Sequence, residues 1–243
     1  MNFSNLNVIY VNCTLKKSPT PSHTDSLISV SKKILQKENV AFDDIRLVDH
    51  DVASGVYPDM TKHGWEVDEW PAIYKRIMDA DILIIGTPIW LGEKSSVAQK
   101  LIERLYAMSG KTNEKGQYIY YGKTGGCIIT GNEDGIKHCA MGILYALQHI
   151  GYAIPPQADC GWIGQVGPGP SYGDREWKGE KIHPPVGADS DFTNRNTTFM
   201  TYNLLHMAAM LKKQGGFPNY GNSRDAWDQG TRWEFENPEY RSS

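Results

Sequence analysis

Along the chain, short apolar runs alternate with stretches in which apolar side chains recur every three or four residues, up to about Gly216. The runs read as buried parallel strands: Leu6-Asn7-Val8-Ile9-Tyr10-Val11, a more polar one at 42–48 suited to a sheet edge, 82–85, 126–130, and a fifth within 152–163, interrupted by Pro155-Pro156. Between them Leu27, Val30 and Ile34 mark one helical face, and Val97, Leu101, Leu105 and Met108 mark another. Ile143, Leu144, Leu147 and Ile150 form a third, and Met200, Leu204, Met207 and Leu211 a last. Five strands joined by crossover helices specify an α/β fold, a doubly wound five-stranded parallel sheet with helices on both faces. These apolar stripes are core packing and carry no chemistry.

The third run leads directly into Gly86-Thr87-Pro88-Ile89-Trp90-Leu91-Gly92. Glycine and proline read there as a turn that sets an exposed aromatic at a strand's carboxyl end, the edge where open α/β sheets bind ligands. Backbone polar groups beside the flat face of Trp90 suit a planar, hydrogen-bonding heterocycle; ordinary packing is the alternative role for that ring. After the first run, residues 12–27 combine hydroxyls, Lys16 and Lys17 with the start of a helix, where free N–H groups and the positive dipole end attract an anion. Neither Gly-x-Gly-x-x-Gly nor a P-loop is present, so a monophosphate held by hydroxyls and amides fits better than ATP or tightly held NAD. Ser22 has a second reading as a helix cap, with Asp25 completing a capping box.

Composition narrows the classes. The 243 residues are 40% hydrophobic and 22% charged, enough for one sizeable core over residues 1–216 with an appended 217–243. A net charge of −3, without a basic run beyond Lys-Lys pairs, gives no case for nucleic acid or an anionic membrane. No segment reads as a signal or a bilayer span, so a cytoplasmic protein without membrane insertion is expected. Cys13, Cys127, Cys139 and Cys160 are scattered, which points to neither a disulfide framework nor a metal site. The acidic connection 49–70, with His50, Asp51, Asp59, His63, Glu66, Asp68 and Glu69, matches no ligand spacing and reads as a solvated loop. The Gly/Pro-rich stretch 164–191 leaves the fifth strand on the same edge as Thr87-Pro88, as a candidate lid or substrate wall. Residues 217–243 carry Phe217, Tyr220, Trp227, Trp233, Phe235 and Tyr240, too aromatic for a disordered tail, and are expected to dock on the body or a neighbouring subunit.

The chain resembles the flavodoxin-like NAD(P)H-dependent FMN reductases and related multimeric flavoproteins. Their first-loop pattern, Ser-x-Arg-x-x-Ser-x-Thr-x-x-Leu, is similar to Thr14, Lys16, Ser22, Thr24 and Leu27, with Pro19-Thr20-Pro21 as an insertion and Ser18 as an alternative ligand. Their second loop is similar to residues 79–96, and their third to Thr130-Gly131-Asn132-Glu133-Asp134-Gly135. The resemblance implies strand order 2-1-3-4-5, bound FMN and NAD(P)H as co-substrate. It implies phosphate contacts from Thr14, Ser18, Ser22, His23 and Thr24 with Lys16 in support. Ring contacts would come from Thr87, Pro88, Ile89, Trp90, Leu91 and Gly92, with Thr130, Gly131, Asn132 and Glu133 closing the other side. The implied reaction is two-electron hydride transfer from NAD(P)H to FMN and on to a small-molecule acceptor such as a flavin, quinone, nitro or azo compound. It needs no catalytic side chain and no metal, and it fits a homodimer or homotetramer. His138 and His149 receive structural or solvated roles. Two other readings stand: a flavodoxin-type electron-transfer protein, and a cofactor-free binding or assembly module on the same fold.

Overall fold

The structure is a computed structural model that describes residues 2–167 and 169–233. In chain order the elements are β1 (Asn7–Asn12), α1 (His23–Lys37), β2 (Ala41–Arg46), α2 (Trp70–Asp79), β3 (Ile82–Trp90), β4 (Glu93–Lys94), α3 (Ser96–Tyr106), β5 (Thr124–Gly131), α4 (Ile136–Ile150), β6 (Asp159–Ile163), β7 (Glu176–Trp177), β8 (Glu180–Lys181), α5 (Asp191–Gln214) and α6 (Arg224–Asp228). Five strands pair in parallel in the order β2-β1-β3-β5-β6, the doubly wound arrangement expected from the sequence. Because the central strands are covered on both faces, successive side chains feed two cores. Ile9, Val11, Leu83, Ile85, Cys127 and Ile129 pack with α2, α3 and α4. Val8, Tyr10, Ile82, Ile84 and Ile128 pack with α1 and α5. Among the described residues, no helix is long and apolar enough to cross a membrane.

The structure departs from the sequence reading at four places. The third strand does not stop at Ile85; it pairs with β5 as far as Pro88↔Thr130 and then folds back on β4 through Ile89↔Lys94 and Trp90↔Glu93. Pro88 is tolerated because it lies beyond Asn12↔Gly86, the last pairing with β1, where that side of the strand has no ladder to break. The buried face of α1 is Leu27, Ile28, Ser31 and Leu35 rather than Leu27, Val30 and Ile34. Ser31 hid that face: it is a core residue because its hydroxyl lies between those of Tyr10 at 2.8 Å and Thr201 at 2.7 Å. The stretch 164–191 is not plain loop, since β7 and β8 form a hairpin within it.

The fourth departure is in the connection 49–70, where Asp68 is not solvated. Its side chain is fully enclosed and accepts from the backbone N–H of Ala53, Met60 and Trp70 and from the Arg104 guanidinium at 2.7 Å. One carboxylate therefore organises the loop and ties it to α3. Residues 217–233 lie along the 112–121 segment: Gln117 donates to the Pro218 carbonyl and to Asn222, Thr112 donates to Asp225, and Phe217 meets Tyr121 edge-on. Phe235 and Tyr240 lie outside the described residues.

Asp68→Asn strands a buried guanidinium and lowers stability by about 3 kcal/mol in urea unfolding, without changing the fold. At the sheet edge, Arg76 donates to both oxygens of Asp43, and this grip holds the Asp43 carboxyl below the usual aspartate range. A carboxylate held low stabilises the fold fully above its unfolded value, about 3.9, and loses that contribution as pH falls through the folded value. Melting curves of wild type and Asp43→Asn therefore differ most at pH 5 to 7 and converge as the pH is taken well below about 4.

Candidate functional site

The cleft opens at the carboxyl ends of β1, β3, β5 and β6 and encloses about 330 Å³, within the usual range of small-molecule sites. One end is built by the first loop and the start of α1, where Thr14, Lys16, His23 and Thr24 line the wall. The backbone N–H groups of His23 and Thr24 open the helix and have no partner among the described residues, so the positive dipole end is directed at this part of the cleft. The other end is built from β3 and β5: Pro88, Ile89 and Trp90 on one side, Thr130, Gly131, Asn132 and Glu133 on the other. Thr24 and Thr130 share a buried hydroxyl–hydroxyl bond of 2.8 Å, which joins the two ends across the floor.

Not every residue singled out in the sequence lines this cleft. Ser18 is turned away to Asp49, donating through both its N–H and its hydroxyl. Ser22 is the N-cap of α1: its hydroxyl accepts from the Asp25 N–H at 3.2 Å and is held in place by Asn12. Thr87 is fully buried, with its hydroxyl accepting from Ser95 N–H at 3.0 Å. Leu91 and Gly92 form the tip of the β3–β4 hairpin, both with positive φ (52° and 76°). The Glu133 carboxylate accepts from both tip amides, at 2.9 and 3.2 Å, and so holds leucine in a backbone region that disfavours it. His138 lies outside the cleft, bonded to Glu93 at 2.6 Å on the surface, and holds that carboxyl below the usual range.

Sequence reasoning missed Leu15, Trp162, Ser171 and Tyr172 as wall residues. Trp162 lies one residue before the end of β6, and Tyr172 packs edge-on against it with ring centroids 5.7 Å apart. The signal for Ser171 and Tyr172 is the length and Gly/Pro content of 164–191, while Leu15 and Trp162 lie in the first loop and the fifth strand, outside that segment. That segment is fastened to both ends of the cleft: Asn132 donates to the Pro170 carbonyl and accepts from Ser171, while His23 bonds the Tyr172 carbonyl.

The chemistry available is binding and alignment. All four cysteines are free and buried, and burial pushes the thiols of Cys139 and Cys160 up to about 11 and about 12, so neither is a thiolate near neutral pH. Among the described residues, no cluster of His, Cys, Asp and Glu could hold a metal ion. The donor set fits flavin mononucleotide. Hydroxyls, a lysine and open helix amides sit at one end for a phosphate, and an exposed tryptophan with amide and carboxylate groups sits at the other for a polar-edged ring.

The model of the family described as NADPH-dependent FMN reductase matches residues 6–161. A protein of Streptomyces davaonensis, 8-demethyl-8-aminoriboflavin-5′-phosphate synthase, is 34% identical over 216 residues, covering 86% of this chain and 79% of that protein. A Mycobacterium bovis protein named divalent metal cation transporter MntH is 60% identical over 211 residues, 86% of this chain, but the chain spans only 30% of that protein's length. Among solved structures, RosB with bound 8-demethyl-8-formylriboflavin-5′-phosphate superposes with a TM-score of 0.76 at 30% identity, covering 98% of this chain and 95% of that one. The apo form of the NADH:FMN oxidoreductase EMOB gives 0.52 at 11% identity, over 92% and 99%, a likeness of fold alone.

The hairpin tip yields a test of the geometry. Leu91→Asn replaces a side chain that resists the left-handed region with one that accepts it, and raises stability by about 1 kcal/mol in urea unfolding. Glu133→Ala frees both tip amides and lowers stability by a similar amount, about 1 kcal/mol.

Proposed function

The chain belongs to the NADPH-dependent FMN reductase family, and we propose that it is an FMN-dependent NAD(P)H oxidoreductase acting on a small-molecule acceptor. The observation that supports this most is the two-ended cleft, in which anion-binding groups and an exposed aromatic stand at opposite ends of one pocket. Thr14, Lys16, His23, Thr24 and the open amides of α1 take the phosphate, while Trp90, Pro88 and Ile89 support the ring. Asn132 and Glu133 stand at the polar edge, and Glu133 also keeps the hairpin tip in register with that edge. When bound, FMN would supply two-electron redox chemistry between NAD(P)H and a flavin, quinone, nitro or azo compound. The residues bind, orient and exclude water, with no side chain required to react. The protein works as a cytoplasmic homodimer. The support for pairing is an apolar groove of about 270 Å³ between α3 and α4, bordered by the exposed Tyr106 and Tyr145.

One observation favours a second reading, in which the flavin 5′-phosphate is the reactant. The likeness to RosB, a structure that holds a flavin 5′-phosphate derivative, runs through the 164–191 segment and beyond the reach of the family model.

The purified protein is expected to be yellow, to release FMN on denaturation, and to bleach anaerobically with NADH or NADPH. A colourless protein that takes up no added FMN sinks both readings. Bound flavin that resists NAD(P)H but leaves the protein with an altered mass, read by mass spectrometry, favours the second. Trp90→Ala weakens FMN affinity by about tenfold through the lost ring contact, measured by fluorescence quenching.

A further inference from the structure

The part of 164–191 that reaches the cleft is short, Ser171 and Tyr172, and it approaches α1 closely. Gly173, at φ 87°, packs so near Ser26 that a Cβ would fall 2.8 Å from that side chain. Here His23 meets the lid twice through one nitrogen: Nδ1 lies 3.1 Å from the Tyr172 carbonyl oxygen and 3.5 Å from Asp174 Oδ1. A carbonyl oxygen only accepts, so Nδ1 carries the proton whatever the charge of the ring. Nε2, on the far side of the ring, is the nitrogen left for the cleft that His23 lines.

Asp174 is itself fixed. Its Oδ2 accepts from the Ser171 N–H at 2.7 Å, and its own N–H donates back to the Ser171 carbonyl. A carboxylate held beside an anion-binding helix start opposes binding unless another group stands between them, and the His23 ring, on the first residue of α1, stands between Asp174 and the cleft. Of the neighbouring charges, Lys16 lines the same end of the cleft, and Asp25 is engaged with Lys32. We infer that Asp174 is a positioning residue: its carboxylate, 3.5 Å from Nδ1 and beside the Tyr172 carbonyl that bonds it, helps set the His23 ring so that Nε2 meets the ligand's phosphate, and makes the site select a phosphorylated flavin over an unphosphorylated one. The inference rests on the flavin reading of the cleft. It extends that reading to a residue of the lid, beyond the segment matched by the family model.

The test is a titration of FMN and of riboflavin, by fluorescence quenching, into the wild-type protein and into Asp174→Asn, Asp174→Glu, His23→Gln and the Asp174→Asn/His23→Gln double variant. The wild type is expected to prefer FMN. Asp174→Asn should cut FMN affinity about tenfold while riboflavin affinity stays within about twofold. Asp174→Glu should recover part of the loss, and the double variant should bind FMN no more weakly than His23→Gln alone. A purely structural lid would weaken both ligands alike in Asp174→Asn, and that result overturns the inference, as does an unchanged FMN-to-riboflavin ratio. If the wild type binds neither flavin, the flavin reading falls and this inference with it; binding of FMN with an unmoved ratio removes only the inference.

Discussion

How closely α1 lies on the sheet sets the rest of the structure, and Gly86 permits it. A Cβ there would fall 2.7 Å from Ile28 Cδ1 and 3.0 Å from Thr24 Cγ2, so a larger residue would displace the side chains through which the helix rests on β3. With the helix seated, its first turn reaches the end of β5 and Thr24 bonds Thr130. The dipole end, the first loop and the third loop thereby become one rigid rim rather than three independent loops.

Beneath that rim, polar side chains hold backbone in place. Asn12 Oδ1 accepts from Thr14 N–H while its amide donates to Ser22, and Ser95 donates to the Cys13 carbonyl at 2.6 Å while capping α3. Thr87 joins the same network through Ser95. Buried hydroxyls and amides of this kind are costly unless every partner is supplied, and here the partners are the loop amides and carbonyls that shape the cleft. The shape of the cleft is therefore set by the protein's own hydrogen bonds.

The fold and the ligand edge were legible because they rest on periodicity. The runs around Val8, Ile84 and Ile128 read as buried strands by their length and flanking turns, and in a doubly wound sheet their carboxyl ends meet at one edge. What the pattern concealed was the use of polar residues inside. Ser31 and Thr201 occupy core positions that binary patterning assigns to apolar side chains, so periodicity alone sets the inner face of α1 one step out of register. Asp68 looked like surface acid because nothing local announces the guanidinium that reaches it from α3. At the site, Ser18, Ser22 and Thr87 have the right chemistry and the right neighbourhood, but tertiary partners claim their hydroxyls. Trp162 and Tyr172 were invisible for the opposite reason, since long-range loop placement leaves no period in the sequence.

The two fastenings of the 164–191 segment bear on the shape of the wall it forms. His23 and Asn132 sit at opposite ends of the pocket, and between them they hold residues 170–172 by hydrogen bonds. A stretch pinned at two points so close in sequence has few conformations left to it, so the wall keeps one outline, and a change at either anchor is felt at the other.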